Sequence, residues 1–168
     1  MRLGWELAVA VAIAITSVAN AANIDPVDAW RPMHPFIGSW KGTRTGDDGQ
    51  VKVTRVYESS TTNHHLEIRE KLGGRSGAAV WGVVSFEPQR QVLVLRQFAA
   101  DGSAFDVSFD PSSSTAGPLV FESLASEGSR TRITYERAGT NSFVERIERS
   151  AGGGSFSLVS ETRFTRTN

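Results

Sequence analysis

Residues able to do chemistry are few in this chain. Its three histidines are His34, His64 and His65. The last two are adjacent in a strand-like run, so their side chains leave opposite faces and do not converge on one metal. His65 and Glu67 share a face at i, i+2 and offer two ligands without a third, which fits a solvated surface pair. His64 shares the face of Leu66 and Ile68, where it is a candidate interior polar group or general base. In "SFVERIER", Phe143, Glu145 and Ile147 share one face, so a carboxylate stands among apolar residues. In "VKVTRVYE", Val51, Val53, Arg55 and Tyr57 line up in the same way. In "VLVLRQFA", Val92, Val94, Arg96 and Phe98 align, but Leu93, Leu95, Gln97 and Ala99 make the opposite face equally apolar, which leaves both orientations open.

A charge on an inner face is costly unless it is paired or hydrated. Arg55 and Glu145 are therefore expected either to form an internal ion pair, or, for Arg55, to meet an anionic group of a ligand; a bulge that turns them to solvent is the alternative. The candidate ligand-binding set is Arg55, Tyr57, Arg96, Phe98, Glu145 and His64. If the chain is an enzyme, Glu145 and His64 are its candidate acid and base. No glycine-rich phosphate loop, no Gly-x-Ser-x-Gly elbow and no His-Glu-x-x-His helix occurs.

Such residues need a scaffold, and the pattern that supplies it is alternation with period 2, broken by turn residues about every 10 to 15 positions. Ten strands are expected near 36–45, 50–58, 63–71, 78–87, 91–99, 103–110, 118–124, 129–137, 142–149 and 155–166. Short links such as Gly46-Asp47-Asp48-Gly49, Asp101-Gly102 and Gly139-Thr140-Asn141 favour hairpins, so sequence neighbours should pair antiparallel. Closure then removes the exposed edges. The expected fold is all-β, an up-and-down barrel of about ten antiparallel strands over residues 36–168, and a two-sheet sandwich is the other option.

The first 21 residues have one early arginine, an apolar run from Leu7 to Ile15 and a small-residue exit at Ala19-Asn20-Ala21, the pattern of a secretory signal peptide. A secreted or periplasmic location follows as an expectation. Residues 22–35, with three prolines, read as an extended arm or one short helical turn. The chain has no cysteine, so its core must hold it without disulfides. Equal numbers of basic and acidic residues, 18 each, without a basic block, argue against nucleic acid or an anionic membrane as main partner.

Trp40 stands between Gly38 and Gly42 on one face of the first strand. Small neighbours on both sides leave room for an indole across the barrel base, and Arg163 or Arg166 of "ETRFTR" can cover it through a cation–π contact. The Gly38-x-Trp40-x-Gly42 start, the all-β meander and the terminal "ETRFTR" resemble the calycin superfamily of lipocalins, fatty-acid-binding proteins and nitrobindin-like heme-binding-like barrels. That resemblance implies a barrel with a structural Trp40 under an arginine, and internal arginines, here Arg55 and Arg96, that grip a ligand carboxylate. Nitrobindin-like barrels ligate heme through a late histidine and open with a third glycine; here Arg44 occupies that place and no histidine follows His65. Heme or another cofactor is therefore not expected. The expected function is binding of a small hydrophobic or amphipathic ligand inside the barrel, with a filled structural module and a small-molecule enzyme as the competing classes.

Overall fold

Alternation of inward apolar and outward polar residues dictates strands, and the computed structural model has them where that alternation runs. It describes residues 24–47, 49–60, 65–74, 79–113, 117–123, 128–151 and 154–167. The proposed signal peptide and His64 lie outside the described residues. Among the described residues ten strands form one closed antiparallel barrel: β1 (Gly38–Gly46), β2 (Gly49–Ser59), β3 (His65–Leu72), β4 (Ala79–Glu87), β5 (Val92–Phe98), β6 (Ala104–Phe109), β7 (Leu119–Glu122), β8 (Ser129–Arg137), β9 (Ser142–Ala151) and β10 (Ser157–Arg166). Each pairs with its sequence neighbour, and β1 pairs with β10 to complete the circle. The wall is thinnest at β6 and β7, which meet at Ser108 and Glu122.

The span before β1 is helical rather than extended. A short α-helix, α1 (Pro26–Ala29), is capped by the Asp25 carboxylate, which accepts from the Val27 N–H, and a 3-10 turn covers Arg31–Phe36. This segment is a plug: Ala29, Met33 and Phe36 are buried at one end of the barrel. Phe36 packs on Phe143 (ring centroids 5.0 Å apart) and Tyr135 (5.5 Å), and Phe143 also meets Trp40 (4.7 Å) and Phe164 (4.7 Å). Edge-to-face and offset pairs of this kind each add about 0.5–1.5 kcal/mol beyond the area they bury.

Trp40 is held by its polar handle and its face. Its Nε1 donates to the Phe36 carbonyl at 2.7 Å, and the Arg166 guanidinium lies 4.2 Å from the ring centroid. Arg166 is fixed in turn by donating to the carbonyls of Pro35 and Ile37, both at 2.8 Å. The covering side chain is therefore Arg166 and not Arg163, which faces outward and pairs with Glu161. The flanking glycines serve differently from expectation. Gly38 has φ +123°, and a Cβ there would stand 2.5 Å from Arg166 Nη1, so the space it leaves belongs to the arginine rather than the indole. At Gly42 a Cβ would run into the backbone carbonyl of Arg163, so this glycine lets β10 approach β1.

Candidate functional site

Four strands deliver charge to the interior. Parity along β2 turns Val53, Arg55 and Tyr57 inward, parity along β9 does the same for Phe143 and Glu145, and both charged side chains are buried. β3 adds Glu70 on the face of Leu66 and Ile68, and β1 adds Arg44 on the face of Trp40. The four meet. Arg55 donates through Nε to Glu70 Oε2 (2.7 Å), through Nη1 to the Tyr57 hydroxyl (2.9 Å), and through Nη2 to Glu145 Oε1 (2.9 Å), with further short contacts from Nη2 to Glu70 and from Nη1 to Glu145. Arg44 donates to Glu70 Oε1 (2.8 Å) and to the Thr162 hydroxyl (3.2 Å), and lies 3.7 Å from Glu145. The Phe164 ring stacks 4.6 Å beneath the Arg55 guanidinium.

Two guanidiniums against two carboxylates make this floor electrically neutral. Burial opposes charge on Arg55, yet Glu145 and Glu70 hold its pKa well above the ordinary guanidinium value. Burial likewise pushes the Glu145 carboxyl up, but Arg55, by charge and hydrogen bonds, and Arg44 bring it below the ordinary carboxylate value. Burial raises Tyr57 to about 12, against the lowering pull of Arg55. Tyr135 is pushed well above the ordinary phenol value by burial; its hydroxyl approaches Tyr57 and Glu145 without adopting hydrogen-bond geometry to either. Glu145 is thus an ionised structural counter-ion. A general acid needs a carboxyl whose pKa is raised toward neutrality, and this one is shifted the opposite way.

The floor divides the barrel. On the plug side the aromatic residues fill the interior, and on the other side a cavity of about 510 Å³ stays open. Arg44, Arg55 and Glu70 line its base, with Gln97, Ile147 and Ser160 around them; Val80, Phe105, Thr131, Arg130 and Arg149 reach its mouth. Gly82, beside Gln97 on β4, gives this side chain its room, since a Cβ there would lie 3.3 Å from Gln97 Cγ. A neighbouring cavity of about 430 Å³ shares Phe105, Ser129 and Thr131 with the first, across the thin wall where β7 is short.

Of the residues expected at a site, Arg55, Tyr57 and Glu145 come together inside. Arg96 and Phe98 do not. Arg96 points outward and bonds Glu87 (2.9 Å) and Asp106 (3.0 Å), and Phe98 stacks on Trp81 at 5.2 Å on the outer surface. The other face of β5, carrying Leu93, Leu95 and Gln97, is the inner one. His65 and Glu67 lie on the outer face of β3, 3.8 Å apart. In β10 a bulge between Leu158 and Ser160 shifts the register, so Leu158 is exposed while Ser160, Thr162 and Phe164 stay inside. Phe156, which shares the sequence parity of Leu158 and Ser160, lies under the guanidiniums of Arg130 and Arg132. Sequence reasoning missed Arg44, Glu70, Gln97 and Arg149. The signal for each was its parity with an inward neighbour: Arg44 with Trp40, Glu70 with Ile68, Gln97 with Leu95, and Arg149 with Ile147.

No protein-family model matches the chain, and no curated protein matches it. Among solved structures, Rv2717c from M. tuberculosis is similar at 15% identity and a TM-score of 0.58, with 83% of this chain and 98% of that chain covered. This likeness shows a shared barrel fold. An S-type phycobiliprotein lyase, CPES from Guillardia theta, overlaps at 8% identity and a TM-score of 0.48, covering 80% of this chain and 89% of that one. A de novo designed fluorescence-activating β-barrel overlaps at 17% identity and a TM-score of 0.43, covering 79% of this chain and 94% of that one.

Proposed function

We propose that this chain is an exported, calycin-like barrel that binds a small amphipathic molecule in the cavity above the Arg44–Arg55–Glu70 floor. The observation that carries the reading is the division of the barrel: one half is packed with aromatic residues, while the other keeps a cavity of about 510 Å³ with mixed apolar and polar walls. That volume falls within the roughly 300–1,000 Å³ typical of small-molecule sites. A module held together only by its core gains nothing from such a void, because open volume forfeits packing contacts. Apolar walls such as Ile147, Val80 and Phe105 supply affinity at about 25 cal/mol per Å² buried, and the polar groups fix orientation.

The test is native mass spectrometry of the full chain, purified gently from its own host, against the denatured mass, with an absorbance scan alongside. A co-purifying small mass that disappears in Ile147→Trp, which fills the cavity, is the expected result. A bound mass indifferent to Ile147→Trp puts the ligand elsewhere and refutes the reading. A Soret band would identify the cargo as heme and overturn the expectation drawn from the missing late histidine.

A further inference from the structure

The floor cannot serve as the anion grip that internal arginines suggest. Arg55 already donates to both carboxylates and to Tyr57, and an arriving anion would face Glu70 and Glu145 at the same depth. Two other polar groups are different. Gln97 and Ser160 line the cavity, each is 8% exposed, and neither side chain has a hydrogen-bond partner among the described residues. Their polar atoms are not sealed from solvent but open onto the cavity, so a bound molecule that supplies the hydrogen bond takes the place of water there. At the mouth, Arg149 continues the inward face of β9 beyond Glu145 and Ile147, opposite Thr131 of β8, and it too has no ion-pair partner among the described residues. Arg130 beside it is already matched by Glu122. The uncompensated charge of the cavity is therefore positive and sits at the rim, while the uncompensated polar atoms at depth are neutral.

From this we infer that the cavity selects a small amphipathic monoanion in one orientation, its charged group outward at Arg149 and an uncharged hydrogen-bonding group inward against Gln97 and Ser160. The inference rests on the binding reading above and adds the ligand's chemical class and polarity. A carboxylate, sulfate ester or phosphodiester satisfies Arg149 alike; a hydroxyl, carbonyl or amide satisfies the inner pair.

Three rigid probes separate the two ends: 6-hydroxynaphthalene-2-sulfonate, naphthalene-2-sulfonate and 2-naphthol, titrated calorimetrically into the full protein and its variants. The two-ended probe is expected to bind most tightly. The sulfonate should contribute about fivefold, as for a partly hydrated ion pair, and the hydroxyl about tenfold through a buried hydrogen bond. Arg149→Gln should erase the sulfonate advantage and leave the hydroxyl advantage. Gln97→Met should do the reverse, with Ser160→Ala asking the same question should Gln97→Met fold poorly. An unchanged sulfonate advantage in Arg149→Gln, or an unchanged hydroxyl advantage in the inner variants, overturns the inference while the cavity still binds. Ile147→Trp distinguishes the deeper failure: if it leaves all three titrations as they were, or the unmodified protein binds none of the probes, the cavity is not a binding site and both conclusions fall. Arg96→Gln, on the outer wall, serves as the unchanged control.

Discussion

Replacing Arg55 with methionine keeps most of the side-chain volume and removes the charge that two buried carboxylates share. Glu70 and Glu145, 2% and 1% exposed, would then face Arg44 alone, at 2.8 Å and 3.7 Å. One guanidinium against two carboxylates leaves an uncompensated buried charge, and breaking a buried pair in this way costs about 3–5 kcal/mol. With a urea slope of roughly 2 kcal/mol per M, the unfolding midpoint should drop by about 2 M. Urea is the denaturant to use, because guanidinium is itself a salt and screens the interaction under test. The second arm is pH. In the native protein the folded pKa of Glu145 is depressed, so its contribution to stability is present above the unfolded value and lost as pH falls through the folded one. In Arg55→Met, burial acts with one fewer guanidinium to oppose it, which raises the folded pKa of Glu145. The variant then regains relative stability as protons neutralise its floor. The gap between the two proteins should therefore narrow from neutral to mildly acid pH, and adding Glu145→Gln to Arg55→Met, which leaves Arg44 against Glu70 alone, should recover much of the loss. A gap under about 1 kcal/mol, or one that does not change with pH, would refute a desolvated ion network.

Three further outcomes follow from the same structure. The chain has two tyrosines, both buried, with Tyr57 near 12 and Tyr135 well above the usual phenol value, so ultraviolet titration of the native protein should show no phenolate near pH 10, whereas in urea both ionise there. Because both folded values are raised, their contribution is complete below about pH 10 and is lost as pH rises through them; a native phenolate step near pH 10 would mean that water reaches one ring. Gly42→Ala drives a methyl group into the Arg163 carbonyl and should cost about 1–3 kcal/mol, read as a lower thermal midpoint. Arg96→Ala breaks exposed pairs only and should shift stability by less than about 1 kcal/mol.

Strand number and hairpin order were legible in the sequence because turn residues and period-2 alternation both report local geometry. Arg55, Tyr57 and Glu145 were legible for the same reason, since each shares parity with apolar neighbours that must face inward. Glu70 and Arg44 carried that signal as well, but each stands near the end of its apolar run, where fewer neighbours mark the face. β5 is apolar on both sides, so its own residues could not decide between Arg96 and Gln97; the decision lies in register, which brings Arg96 opposite Asp106. Leu158 has the sequence parity of the inward Ser160, Thr162 and Phe164, and its exposure was not legible because a bulge reverses parity without leaving a local mark. Parity alone separates Arg166 from Arg163, since Arg166 shares the face of Phe164 and sits opposite Trp40.

The seam that closes the barrel sets Arg166 opposite Trp40, the same Arg166 bonds the Pro35 carbonyl of the plug 131 positions away, and the Arg55–Glu145 bond spans 90. Such separations make for slow folding, because the entropy of closing a long loop is spent before the contact returns anything. During synthesis Arg55 and Glu70 emerge long before Glu145, and Trp40 waits for almost the whole chain to acquire its cover. A ribosome-bound or C-terminally shortened chain therefore carries a mismatched charge and a bare indole, both marks of an unfinished molecule. Closure acts as a timer: the barrel becomes resistant to proteolysis only once its last strand is available to meet its first.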